Sequence, residues 1–321
     1  MKEFSIYEME NIKIGHAQDE ENATGCTVIL CEKGAPTGVD VRGGGPASRE
    51  TELLNPVAAS EEIHGILLSG GSAFGLDAAG GAMEYLEERG IGHKVAMTVV
   101  PLICTSCIFD LGVGNYKVRP NKEMAYRACE NAQKSQGGEG NIGAGMGATV
   151  GKLYGPGQMM KAGIGTYGLE LGELKVGAIV VVNALGDIYD PENGKKLAGL
   201  LDKQGNEFLD SEEELYKMFA SKPSLFPGNT TIGAVITNGK FKKYQMKKIA
   251  AMAQNGYART IRPVHTSRDG DSVYAMSVGD IEADVDVTGT LAAKVMAMAI
   301  KKAVMSTESI YGLKCAKDFL S

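Results

Sequence analysis

The chain has 321 residues, 44% of them hydrophobic and 22% charged, with a formal net charge of −6 and no Trp. That length suits one large domain or two ordinary ones, and the acidic balance, with no Lys/Arg stripe among aromatics, excludes nucleic acid as the main partner. No run approaches the roughly 18 apolar residues of a membrane helix, and the first residues, MKEFSIYEMENIKIG, lack an apolar signal core, so a cytoplasmic protein with no membrane partner is expected.

Short strands are expected first, at FSIYEM, IKIGHA, GCTVILC and TGVDV, followed by the glycine-rich turn RGGGPASRETELLNP. HGILLSGGSAFGLDAAGGAMEYLEERGIG reads as a strand, a tight turn, and a helix with Leu76, Ala79, Met83 and Leu86 on one face, stopped by Gly90. HKVAMTVVPLI reads as an apolar strand, and NKEMAYRACENAQKS as a helix. Residues 147–190 read as successive strands, above all KAGIGTYGLEL and LKVGAIVVVNALGDI. GNTTIGAVITNG is a buried strand entered from the loop SKPSLFPG. KFKKYQMKKIAAMAQNGYART is a helix with a basic outer face, DSVYAMSVGD a strand, and TGTLAAKVMAMAIKKAVMST a long helix with an apolar stripe. Glycine-rich strands beside Ala/Met-rich helices imply close packing of helices on stacked sheets in one α/β domain spanning 1–321.

The entry into the strand at Asn229-Thr230-Thr231 has two readings: threonine simply suits strands, or the peptide bond before Thr230 is made to break. An internal threonine hydroxyl has no base of its own. An N-terminal one has its α-amine, which titrates near 7.7–8.0 when unperturbed and can take the hydroxyl proton. The β-methyl also restricts the hydroxyl to few rotamers. Asp269 and Asp271 flank Gly270 at a loop-to-strand junction; they form either a solvated turn or a pair that raise each other's proton affinity. The spacing is not that of an EF-hand, so no metal is expected. Asn183, after an apolar run, is either a strand terminator or a neutral donor to an oxyanion. Lys161, in the glycine-rich MMKAGIG, either snorkels to solvent or holds negative charge in a site.

Familiar motifs mostly fail. SGGSAFG has Phe74 where a nucleophile elbow needs glycine, and GGSAFGLDAAGG does not match a dinucleotide fingerprint. His265 near Asp269 does not complete a Ser-His-Asp triad and reads as structural. Cys26, Cys31, Cys104, Cys107, Cys129 and Cys315 are scattered, and the CTSC pair has no partner pair, so buried reduced thiols are expected.

Taken together and in this order, VDVRGGGPASRETELLNP, HGILLSGGSAFGLDAAGGAMEYLEERGIG, GNTTIGAVITNG and IRPVHTSRDGDSVYAMSVG resemble the autoprocessing peptidase family of the L-aminopeptidase/D-esterase, the β-peptidyl aminopeptidases and the nylon-oligomer hydrolases. The resemblance runs nearly end to end. It implies a four-layer α-β-β-α sandwich of the type shared with ornithine acetyltransferase, and a precursor cut between Asn229 and Thr230 into chains 1–229 and 230–321. Thr230 becomes the nucleophile. Asn183 matches the oxyanion donor, Asp269 and Asp271 the acidic pair, and Lys161 the lysine beside the nucleophile in the nylon-oligomer branch. The Thr, Asp, Asp and Lys set sits nearer that branch than the serine aminopeptidases, which makes an endo-type amidase one expectation beside an aminopeptidase. The substrate would be a small peptide or other amide, the assembly a homotetramer of processed units, and no metal or organic cofactor is called for. Acyl transfer to an amine, and a non-catalytic ligand-binding relative, are the alternatives.

Overall fold

The computed structural model describes residues 1–134, 137–218 and 228–320. The loop SKPSLFPG therefore lies, except for Gly228, outside the described residues. Two sheets carry the fold. Their strands in chain order are β1 (Lys2–Phe4), β2 (Lys13–Asp19), β3 (Thr24–Ala35), β4 (Thr37–Val41), β5 (Ser48–Arg49), β6 (Ile63–Ser69), β7 (Ile103–Cys107), β8 (Ile164–Leu171), β9 (Leu174–Asn183), β10 (Thr230–Gly239) and β11 (Ser272–Ile281). The six-stranded sheet has the order β1-β8-β9-β10-β11-β4 and the five-stranded sheet the order β2-β3-β6-β7-β5. Pairing is antiparallel except at β10/β11 and β6/β7.

Helices α1 (Ala79–Glu87) and α2 (Lys122–Ala132) cover the five-stranded sheet. The short α3 (Ser211–Met218) lies between β9 and β10 in the chain, and α4 (Lys243–Thr260) and α5 (Val285–Met305) cover the six-stranded sheet. The layers are α-β-β-α, as the resemblance implies. Strand periodicity explains them, because successive side chains point to opposite faces. In β9, Val176, Ala178, Val180 and Val182 pack with α4 and α5, while Ile179 and Val181 enter the core between the sheets. In β10, Val235 faces the helices, and Ile232, Ala234 and Ile236 face the other sheet. On the opposite sheet, Ile29, Cys31, Ile66 and Leu68 meet them, while Val28, Leu30 and Leu67 turn outward to α1 and α2. Both faces of the central strands are buried, which is why they read as unbroken apolar runs. Each fully buried Ile or Val contributes roughly 1.5–3 kcal/mol relative to exposure.

Helix starts follow local chemistry. Asn121 caps α2 by accepting from Met124 N at 3.0 Å, and the Asp284 carboxylate caps α5 through Asp286 N and Val287 N at 2.8 and 3.0 Å. Asp187 holds the head of α3, accepting from Ser211 N at 2.8 Å and Ser211 Oγ at 2.7 Å. No helix among the described residues is long and apolar enough to cross a membrane.

Several local expectations change, the first at FSIYEM, where the strand ends at Phe4 and Ile6–Glu8 form a 3-10 turn. HKVAMTVVPLI is not one core strand: His93–Lys94 and Val99–Val100 form an outlying hairpin with Met97 exposed at its tip, and the core strand starts beyond Pro101, at Ile103. The helix expected after Ser69 begins as a 3-10 segment, Ser72–Ala78, before becoming α1, and Leu76 and Met83 are only half-buried. On α4, Lys247 and Lys248 do face outward, but Lys243 is buried, its Nζ donating to the carbonyls of Ala58 and Ser60, both at 2.7 Å. All six cysteines are buried and free; burial pushes the Cys31 thiol up to about 11 and the Cys104 and Cys129 thiols to about 12.

Candidate active site

The antiparallel register of β9 and β10 puts Asn183, the last residue of one strand, opposite Thr230, the first residue of the next. On the other side, Asn229 bridges Asp269 in parallel, just before β11 joins β10. One strand end thus collects four of the residues singled out in the sequence: Asn183, Asn229, Thr230 and Asp269. Thr230, Asn183, Asp269 and Asp271 are all buried. The solvated-turn reading of the acidic pair is thereby replaced.

The Thr230 hydroxyl donates to the carbonyl oxygen of Asn229, the residue before it. The same oxygen accepts Gly270 N–H at 3.0 Å. Asp271 holds the neighbouring backbone: Oδ1 accepts Thr231 N at 2.7 Å, and Oδ2 accepts His265 N at 3.1 Å and pairs with His265 Nδ1 at 2.9 Å. Asp269 Oδ2 accepts Thr266 N at 2.6 Å. The loop carrying both acids is pinned by the glycines of RGGGPAS. Gly45 N donates to Asp269 O at 2.8 Å, and a Cβ on Gly43 would lie 2.2 Å from that same oxygen, so only glycine allows the approach.

The lysine beside this cluster is Lys152, not Lys161. Lys152 Nζ donates to Asn183 Oδ1 at 2.5 Å and to Gly228 O at 3.1 Å, bridging the amide side chain and the segment leading to the Asn229–Thr230 bond. Lys161 Nζ instead donates to three backbone carbonyls, those of Gly145 (3.0 Å), Ala148 (3.2 Å) and Ala162. The expectation that Lys161 stands beside the nucleophile is corrected on this geometry. It does not snorkel either, being fully buried. Sequence reasoning missed Lys152 because VGKLYG and MMKAGIG offer the same signal, a cation in a glycine-rich apolar stretch.

Asn183 is fixed from both ends. Its Oδ1 also accepts Thr149 N at 3.1 Å, and its Nδ2 donates to Phe109 O at 3.1 Å. An amide nitrogen carries two hydrogens, so one remains for a further acceptor. Next to Phe109, the buried Asp110 accepts Thr24 Oγ1 and Gly71 N, both at 2.7 Å; it was not singled out in the sequence. Burial pushes the Asp110 carboxyl up, against the pull of those bonds and the charge of Lys152.

Burial sets the other charges too. It brings the Lys152 ammonium down to about 7, against the opposing charges of Asp269 and Asp110, and Lys161 likewise to about 7. Burial and the neighbouring Asp271 charge push the Asp269 carboxyl up to about 6. Burial thus moves an amine and a carboxyl toward neutrality among the residues around the Asn229–Thr230 bond. Such a cluster is equipped to move protons during attack on a carbonyl.

Two facing sheets between helix layers are the architecture of the N-terminal-nucleophile hydrolase fold, and here a hydroxyl residue opens a central strand beside acids, an amide and a lysine. The L-aminopeptidase D-Ala-esterase/amidase of Ochrobactrum anthropi, described as a variant of that fold, superposes with a TM-score of 0.72 over 95% of this chain and 86% of that one, at 16% identity. A Burkholderia sp. β-aminopeptidase superposes with a TM-score of 0.66 over 95% and 87% of the two chains, at 17% identity.

The chain belongs to peptidase family S58, whose model matches residues 5–317. An uncharacterized aminopeptidase of Mycobacterium leprae is 37% identical over 96% of this chain and 92% of its own length. A 6-aminohexanoate-oligomer endohydrolase of Paenarthrobacter ureafaciens is 31% identical over 88% of this chain and 77% of its own length.

Proposed function

We propose that this protein is a self-processing hydrolase of peptide or other amide bonds, with Thr230 as its nucleophile. The observation that carries the reading is the contact of the Thr230 hydroxyl with the Asn229 carbonyl, to which Gly270 N–H also donates. In the processing step, Thr230 Oγ attacks the Asn229 carbonyl carbon and loses its proton to a neighbouring base. The carbonyl oxygen becomes an oxyanion held by Gly270 N–H; one good donor of this kind is worth roughly 3–4 kcal/mol. The C–N bond breaks, the nitrogen takes up the proton, and an ester joins Asn229 to the Thr230 oxygen. Water then opens the ester, leaving a carboxyl on Asn229 and a free amine on Thr230.

The mature site reuses these parts. The Thr230 amine takes the proton of its own hydroxyl, which attacks the substrate carbonyl. The remaining Asn183 Nδ2 hydrogen donates to the oxyanion, while Lys152 and Phe109 O keep that amide in one orientation. The leaving amine is protonated by the Thr230 ammonium or by Asp269, and water releases the acid. The names of the relatives support small peptides or 6-aminohexanoate oligomers as substrates. A homotetramer of processed units, located in the cytoplasm, belongs to the same proposal.

Intact-mass measurement of the purified protein tests it: two chains are expected, 1–229 and 230–321, the second beginning at Thr230. A protein that hydrolyses amides as one uncut chain overturns the reading.

Gly270 gives a sharper prediction. A Cβ there would lie 2.8 Å from Thr230 Oγ1 and 3.0 Å from its methyl, so Gly270→Ala must turn the buried nucleophile out of its rotamer. Misplacement on that scale is expected to slow self-cleavage by at least about tenfold, read as uncut chain on a denaturing gel.

A further inference from the structure

His265 takes no direct part in the chemistry above, yet its geometry is unusual. Its φ is +58°, a left-handed conformation that a β-carbon disfavours. Two bonds hold it there, both to the same oxygen: His265 N and His265 Nδ1 lie 3.1 and 2.9 Å from Asp271 Oδ2. The imidazole stacks on the Tyr257 ring of α4, with centroids 6.0 Å apart and planes at 28°. Tyr257 is itself tied to the start of β11, its hydroxyl donating to Ser272 O at 3.2 Å. His265 Nε2 is buried and has no hydrogen-bond partner among the described residues. With Nδ1–H directed at the carboxylate, the ring serves Asp271 as a donor.

The carboxylate is thereby divided. Oδ2 is committed to His265, and Oδ1 is left to accept Thr231 N at 2.7 Å, one residue beyond the nucleophile. We propose that His265 is a positioning residue for self-cleavage: by clamping Asp271 it fixes the backbone at Thr231, and so keeps the Thr230 hydroxyl against the Asn229 carbonyl. This rests on the self-processing reading given above and adds the residue that orients its acidic pair. Tyr257 supplies the platform under the ring, but the donor on Nδ1 is what the mechanism requires.

Two variants separate positioning from mere packing. His265→Phe keeps a ring over Tyr257 and removes the Nδ1 donor. His265→Asn removes the ring, offers an amide N–H at the same distance from the backbone, and tolerates the left-handed conformation. Each chain is made by cell-free synthesis beside wild type and Thr230→Ala, and the uncut fraction is followed on denaturing gels, with thermal midpoints measured on the purified chains. Cleavage is expected to slow at least tenfold in His265→Phe and to stay within about threefold of wild type in His265→Asn, although the Asn variant has lost the stacked ring and melts lower. Cleavage of His265→Phe at the wild-type rate overturns the inference while leaving the self-processing reading intact. So does slow cleavage in both variants that follows their loss of thermal stability. Wild type that stays uncut overturns the underlying reading, and this inference with it.

Discussion

Thr230→Ala is expected to run as one chain of 321 residues, folded, with amide hydrolysis reduced by about 10⁴-fold or more. The size of the effect follows from the double use of one residue. The hydroxyl is needed to break the Asn229–Thr230 bond, and the amine that the break exposes is the proposed base for every later turnover. Alanine removes the first and therefore prevents the second. Folding is not at issue. The hydroxyl's bond is to the adjacent carbonyl, while the strand is held by the β9 and β11 ladders and by Asp271 on Thr231 N. Thr230→Ser separates the two demands, because it keeps the oxygen and frees its rotamer. It should cut itself more slowly than wild type and reach the same two fragments. A gel time course with a thermal melt on each variant reads all of this; an active, uncut Thr230→Ala protein would sink the mechanism.

Lys152→Met is expected to lower hydrolysis by about 100-fold, the scale seen when an electrostatic stabiliser is removed. Methionine fills similar volume but cannot donate to Asn183 Oδ1 or Gly228 O, so the amide loses its strongest orienting contact and the segment before the nucleophile loses its tether. Lys161→Met should behave differently. It leaves the carbonyls of Gly145, Ala148 and Ala162 without their shared donor, costing roughly 1–3 kcal/mol of stability, with a smaller effect on rate.

The two lysines also predict the direction of a pH effect on stability. Burial brings each down to about 7 in the folded chain, below the ordinary lysine value of 10.5 that the unfolded chain retains. Between those values the unfolded state binds more protons, so the lysine contribution to stability rises with pH from about 7 toward 10.5 and is flat below both values. Denaturant midpoints at pH 7 and pH 9.5 should show a gain in wild type that is smaller in Lys152→Met. An equal gain in both proteins would assign the slope to other groups.

Much of the fold was legible because periodicity and burial leave direct marks on sequence. LKVGAIVVVN and TTIGAVITNG read as buried strands since both faces pack, one against helices and one against the second sheet. Helix ends were less legible: α5 starts at Val285, capped by Asp284, three residues before the expected Thr288. Thr230, Asn183, Asp269 and Asp271 were singled out by the resemblance to the autoprocessing peptidases, and the fold puts each of these proposed site residues at the end of such a buried strand or within a few residues of one.

What the chain alone could not decide was which side chains meet. Lys152 and Lys161 occupy equivalent glycine-rich contexts, and only the three-dimensional path sends one to Asn183, 31 residues away, and the other to backbone carbonyls nearby. His265 is six residues from Asp271, yet its role depends on a left-handed turn and on a tyrosine from α4 beneath it. Lys243 carries a surface residue's chemistry but is drawn inward by the carbonyls of Ala58 and Ser60. Strand and helix periods are properties of neighbouring residues. The partner of a buried charge is chosen by whichever distant backbone or side chain satisfies it at least desolvation cost, and that choice exists only once the sheets have packed.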